Sequence, residues 1–363
     1  MKLIIIAFLY FAIMYLYRKK VTPYAYFLIV FIVMAFQSNV TGDFYSYAES
    51  FYKYNVFRVN FNDNEVGWYC LNRLFGFSNF FVFYFFVALF EFYVLSKFTK
   101  KYVPKVLWIL PAVLFFFDMN MMFFQMKGLR QALAIELGVL AIYTIGRGVS
   151  LKNIILSMGI SALAFLMHQT GLVVFAYVLF YIIFEKLRLL YFNIKIGAYL
   201  LSIAAVVLFY SLYVSKIYLV ETIQPILLQL DLGGLEGYFG DLGEASYNIL
   251  IDVVKGYFVF YIAYSLKYTY GMQRYITMLC LIGAFLDMFL FGMGNLYRVP
   301  LFLTIYGIFV YPNVVNILWH NRKRVEALAF LVLSIAYAVR TFVAISMRGN
   351  PDMLDTYQFS FGL

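Results

Sequence analysis

Apolar runs recur along the whole chain, each broken by a short polar or charged stretch, and no polar block between them is large enough to fold by itself. A bilayer core about 30 Å thick takes roughly 17 to 25 residues of helix. On that measure the pattern predicts twelve spans, at about residues 3–17, 22–37, 77–96, 103–118, 128–146, 152–168, 170–185, 194–214, 249–266, 274–293, 299–318 and 325–346. The stretch 152–185 is apolar throughout, yet as one helix it would run about 50 Å at 1.5 Å per residue, too long for one crossing. It is therefore expected to divide at His168-Gln169-Thr170-Gly171 into a helical hairpin. The fold class expected is an all-α polytopic membrane protein, with residues 1–363 as a single transmembrane domain. External loops are expected at about 38–76 and 215–248.

Composition excludes a soluble reading. Hydrophobic residues make up 64% of the chain, aromatics 22% and charged residues 13%, and the mean hydropathy is +0.84. An ordinary globular chain has about a quarter charged, so this one has too little polar surface to coat itself in water. Only Cys70 and Cys280 are present, which indicates neither a disulfide framework nor a cysteine metal site. Met1 to Tyr17 resembles a signal peptide, but Arg18, Lys19 and Lys20 follow it where a cleavable signal carries small residues, so it reads as the first span.

A net charge of +10 suggests nucleic acid only until the charges are located. They sit in short loops. Taking every second loop together collects Arg18, Lys19 and Lys20; Lys97, Lys100, Lys101 and Lys105; Arg147 and Lys152; Lys186, Arg188 and Lys195; Lys267 and Arg274; and Arg322, Lys323 and Arg324, or 17 of 28 basic residues. The positive-inside rule makes those loops cytoplasmic and both termini external. Most acidic residues, among them Asp43, Glu49, Asp63, Glu65, Asp118 and Asp252, fall on the other side, so an elaborate site is expected to face outward.

Candidate chemistry follows that outward face. No phosphate-binding glycine loop, HExxH, GxSxG or paired-cysteine motif occurs, which counts against an ATPase or a metalloprotease. Gly128-Leu129-Arg130-Gln131-Ala132-Leu133-Ala134 opens the fifth span with Lys127 beside it. Free N–H groups at a helix N-terminus together with a planar guanidinium suit phosphate oxygens; the alternative is an arginine that snorkels to the interface. His168 ends the sixth span on the same side, as a catalyst or as a structural group, while His320 lies in a cytoplasmic anchor. Asp43-Phe44-Tyr45 and Glu65-Val66-Gly67-Trp68 put carboxylates next to aromatic rings. That combination suits sugars, and the alternative is an interfacial aromatic belt. Arg298 and Arg340 lie at or within spans, where an arginine is costly unless it is paired or functional, with Glu91, Glu136 and Asp287 as candidate partners.

These residues together resemble the EpsG/Wzy-type polysaccharide polymerases. The resemblance rests on Asp43-Phe44-Tyr45, Glu65 to Trp68, Gly128 to Ala134, Met167-His168-Gln169-Thr170-Gly171, Arg298 and the closing Tyr357-Gln358-Phe359-Ser360-Phe361. It implies a glycosyltransferase of the bacterial inner membrane, resembling the C-type lipid-dependent fold, that needs neither cofactor nor metal. The implied partners are a glycan donor and acceptor carried on undecaprenyl diphosphate, membrane lipid and a chain-length regulator protein, with no nucleic acid. The resemblance implies catalytic roles for His168, Asp43 and Arg130, and diphosphate binding by Arg130, Arg298, Arg340 and Lys127. It implies sugar contacts at Asp43, Tyr45, Glu65, Trp68 and Gln131. The family's short aromatic pattern after the first outer aspartate is kept here only as Asp43-Phe44-Tyr45.

Two other classes fit parts of the pattern. A lipid-linked oligosaccharide flippase or transporter calls for a cationic cavity reached from both sides and an internal repeat, whereas these candidates gather on one face. A membrane O-acyltransferase also pairs an intramembrane histidine with sugars, but no second polar partner stands beside His168 in the sequence.

Overall fold

The computed structural model describes residues 2–38, 42–56, 66–118, 121–122, 125–126, 128–229, 249–290, 298–346 and 358–359. It is helical apart from one antiparallel bridge of two residues a side, β1 (Gln37–Ser38) with β2 (Gln358–Phe359), which pairs Gln37 with Phe359. The chain forms two compact units, residues 1–179 with 331–363 and residues 180–330.

The first unit is built from α1 (Lys2–Leu16), α2 (Pro23–Ala35), α3 (Gly42–Val56), α4 (Val66–Leu74), α5 (Phe80–Tyr102), α6 (Ile109–Phe117), α7 (Leu129–Ile145) and α8 (Leu151–Met167). To these are added the start of α9 (Leu172–Lys186) and the later part of α15 (Arg324–Ser346). The α7–α8 and α2–α5 pairs pack most extensively. Among the described residues three helical stretches are long and apolar enough to cross a membrane, Phe80–Tyr102, Gln169–Lys186 and Gly271–Leu290, and five shorter apolar helices accompany them. The expected division at His168 is present, with α8 ending at Met167 and a 3-10 turn, Gln169–Gly171, leading into α9.

Several expectations change. The stretch 38–76, expected as an external loop, carries two helices, α3 and α4. Helix α3 is too polar to register as a span, but Phe44 and Phe51, seven residues apart, bury one face against Phe80 and Phe83 of α5 at 5.1 to 5.8 Å between ring centroids. Its other face is solvated, with Glu49 and Lys53 paired one turn apart. The expected span at 103–118 is a 3-10 turn, Lys105–Leu107, followed by nine-residue α6, because Pro104 and Pro111 interrupt the helix and Asp118 ends it. The expected span at 299–318 is divided into α13 (Leu301–Thr304) and α14 (Gly307–His320).

The second unit comprises the end of α9, α10 (Ala198–Gln229), α11 (Ile249–Leu266), α12 (Gly271–Leu290), α13, α14 and the start of α15. Helix α10 continues well past its expected end at residue 214. Phe209, Val259, Ala263 and Met288 form the core between α10, α11 and α12. Glycine at 283 admits the backbone of α13, since a Cβ there would lie 2.8 Å from Leu303 Cβ.

In the first unit the chain's basic connections share one end. Lys101 Nζ donates to the Gly146 carbonyl at 3.1 Å, and Tyr24 at the start of α2 packs on Phe92 and Tyr93, a turn before Lys97. The second unit shows the same device. Arg274 donates to the Phe192 carbonyl at 2.6 Å, and Lys323 lies 3.9 Å from the Tyr199 ring centroid.

Candidate functional site

The end of the first unit opposite its basic connections gathers several of the residues singled out in the sequence. Arg130 is the second residue of α7, whose N-cap, Gly128, supplies no side-chain acceptor. The first N–H groups of that helix are therefore not capped by their own N-terminal side chain. The Arg130 guanidinium carbon lies 5.8 Å from the Tyr47 ring centroid. Tyr47 meets Trp68 edge-on at 5.4 Å, and Trp68 meets Phe83 of α5 at the same distance. One continuous line of rings thus runs from the body of α5 out to the arginine, and each edge-to-face contact fixes the next ring.

Helix α4 is seated on α8 by a backbone approach. A Cβ at Gly67 would lie 2.8 Å from the backbone of Leu166, so only glycine lets Trp68 come this close to the end of α8. The α3–α4 pair is stapled by Asn55, which donates to the Asn72 carbonyl at 3.1 Å, and by Arg73, which donates to the Tyr54 carbonyl at 2.9 Å.

His168 follows Leu166 by two residues and ends α8 in an extended conformation. Its Nδ1 lies 2.7 Å from Thr170 Oγ1 and 3.3 Å from the Thr170 backbone N–H. Both contacts are satisfied together when Nδ1 accepts, which leaves the neutral ring's hydrogen on Nε2. Moving that hydrogen to Nδ1 turns Thr170 Oγ1 into its acceptor and puts the lone pair on Nε2. The Thr170 N–H can only donate and so favours the form in which Nδ1 accepts, while the hydroxyl serves either form.

Below this end lies a buried polar group. Gln125, from the connection that leads into α7, donates Nε2 to Glu136 Oε1 at 3.3 Å. Glu91 of α5 is buried at 1% exposure near Glu136, and neither of its carboxyl oxygens has a hydrogen-bond partner among the described residues.

Several sequence expectations fall differently. Asp43 lies in the first turn of α3, four residues before Tyr47, and its side chain lies outside the described residues, as do Glu65 and Lys127. Trp68 and Gln131 are buried at 3% and 2% exposure, so Trp68 here supports Tyr47, whereas Tyr45 is 56% exposed. Arg298 belongs to the second unit and is partly buried, while Arg340 is exposed on α15 in the first. Asp287, expected to pair with one of these arginines, instead pairs with Lys255 of α11 at 2.8 Å. Glu136 takes the Gln125 amide. Sequence reasoning missed Tyr47, Thr170, Gln125 and Lys255 as partners. Only Tyr47 carried a readable signal, one helical turn beyond Asp43. Among the described residues no three His, Cys, Asp or Glu side chains converge as a metal site.

No curated protein and no solved structure matches the chain. One family does, the EpsG family, over residues 20–357. That stretch takes in the aromatic relay, the opening of α7, the His168 turn and both units, and the chain, a helical membrane protein, belongs to the EpsG family.

Proposed function

We propose that this chain is a polysaccharide polymerase, a glycosyltransferase that joins undecaprenyl-diphosphate-linked repeat units at the outer face of the bacterial inner membrane. In this reading it crosses the bilayer twelve times with both termini external, on a C-type helical plan. The observation that carries the proposal is Arg130, set in the first turn of α7 and flanked by the Tyr47 ring, at the same end as the His168 turn and the helix bearing Asp43.

An acceptor hydroxyl oxygen attacks the donor's anomeric carbon, and the bond from that carbon to the diphosphate oxygen breaks. The bonding electrons leave on undecaprenyl diphosphate, and the hydroxyl proton passes to a base. The transition state therefore loads negative charge onto the diphosphate, where fixed cations lower the barrier most. Arg130 with the α7 N-terminus is assigned to that charge, with Lys127 beside it in the sequence. His168 is assigned as the base, acting through Nε2 when Thr170 holds the hydrogen on Nδ1. Asp43 orients the acceptor, with Tyr45, Glu65, Trp68 and Gln131 forming or supporting the sugar contacts. No metal is assigned a step.

The test is deletion of the gene followed by gel analysis of surface polysaccharide. The polymerase reading expects single repeat units on the final anchor. Polymer stranded on the carrier lipid would indicate a ligase, and single units stranded inside the cell would indicate a flippase; either overturns the proposal.

A further inference from the structure

The other end of the first unit carries an arrangement that the polymerase reading does not use. Lys97 and Lys101, one turn apart on α5, and Arg147, in the turn between α7 and α8, all converge on the ring of Tyr143. Their charged groups lie 5.2, 4.7 and 5.7 Å from its centroid. No two of them can then be more than about 11 Å apart. Like charges one helical turn apart repel, and among the described residues none of the three lies within ion-pair distance of a carboxylate.

Built contacts hold the trio in place. Lys97 is hydrogen-bonded to the Tyr93 hydroxyl, and Lys101 donates to the Gly146 carbonyl at 3.1 Å. The turn bearing Arg147 is closed by Gly148 at φ +128°, a left-handed conformation that favours glycine. It is closed again by Asn153, whose Nδ2 donates to the Gly148 carbonyl at 2.8 Å, and by Ser150, which caps α8. Ordered contacts thus keep three cations together with no counter-charge among the described residues.

From this geometry we infer that the Tyr143 trio is a binding site for the phosphate of an anionic phospholipid. Lys101 and Arg147 are exposed and reachable. Exposed apolar side chains continue from the trio, Val106 beyond α5 and Leu151 and Ile155 on α8, and provide a surface for acyl chains that a free phosphate does not need. Tyr143 presents a ring on which the cations are ordered, and the guanidinium offers two parallel N–H groups to phosphate oxygens. The site is independent of the polymerase reading and survives its failure.

The test is native mass spectrometry of the purified full chain in micelles doped with phosphatidylglycerol or phosphatidylcholine. Wild type is expected to retain phosphatidylglycerol preferentially. Arg147→Gln, on an exposed turn, should weaken retention about fivefold, and Lys101→Gln/Arg147→Gln on the order of 25-fold, from the usual contribution of one cation near an anionic surface. Lys19→Gln/Lys20→Gln removes equal charge from another basic connection and should change little, and added inorganic phosphate should not displace the lipid. Equal loss in the Lys19/Lys20 control, no headgroup preference, no effect of Arg147→Gln, or displacement by inorganic phosphate would each overturn the site.

Discussion

At His168, both contacts to Thr170 fall on Nδ1, and whether that nitrogen accepts or donates decides whether the imidazole donates or accepts at Nε2. A general base needs a lone pair within reach of the proton it takes. Activity carried by such a base falls on the acid side as the imidazole takes up a proton. Repeat-unit transfer measured against pH should show that acidic limb in wild type and lose it, with most of the rate, in His168→Gln. Asp43→Asn should keep the limb at a lower rate. Near-normal turnover in His168→Gln with an unchanged acidic limb would remove the base assignment. The break at His168 was readable from the apolar pattern, because 152–185 is too long for one crossing and His168-Gln169-Thr170-Gly171 is its polar interruption. The role of Thr170 was not, since it depends on the extended backbone at His168, which brings a side chain two residues away onto the ring. Glu136 illustrates the same limit. Its Gln125 partner is at a helical position before α7 that falls outside every expected span.

Among the helices, the long apolar ones were legible and the amphipathic ones were not. Helices α2, α7, α8, α9 and α11 fall within a few residues of their expected bounds, because burial of a whole helix in lipid or protein leaves a continuous apolar run. Helix α3 buries only the face bearing Phe44 and Phe51, and its polar face masked it. The candidate site depends on this unseen layer, since α3 and α4 bring Tyr47 and Trp68 to Arg130. The seat of α4 on α8 should therefore be sensitive at its closest approach. Gly67→Ala presses a methyl group against the Leu166 backbone, which cannot rotate away. It should cost about 1 to 3 kcal/mol, read as a lower Tm in detergent together with reduced polymerisation. Gly159→Ala, on the same α8 with no atom within 4 Å of the new methyl, should be neutral or gain up to about 1 kcal/mol from helix propensity. Equal effects of the two substitutions would remove the close approach as the cause.

For the molecule as a whole, charge location carried more information than any motif. The three basic loops that fall in the first unit, at Arg18 to Lys20, Lys97 to Lys105 and Arg147 to Lys152, gather at one end of it with the Arg130 site at the other, and this separation follows from the cost of carrying cations into lipid. The division into two units was not legible, because both are made of the same apolar helices and no polar linker marks the boundary. Orientation in the membrane is open to direct measurement. A reporter fused after Asn60 should score as external and one after Lys323 as internal, and the reverse result would place the Arg130 end on the cytoplasmic face.

The central claim is that Arg130 stabilises a lipid diphosphate leaving group during polymerisation. Its most direct test is elongation of undecaprenyl-diphosphate-linked repeat units by purified protein, with wild type and Arg130→Lys compared in the presence of EDTA. Lysine keeps the charge but loses the paired N–H groups of the guanidinium. The account predicts a ladder of products from wild type that EDTA leaves intact, and little or none from a folded Arg130→Lys protein. Normal chain lengths from Arg130→Lys would reduce Arg130 to an interfacial anchor and contradict the account.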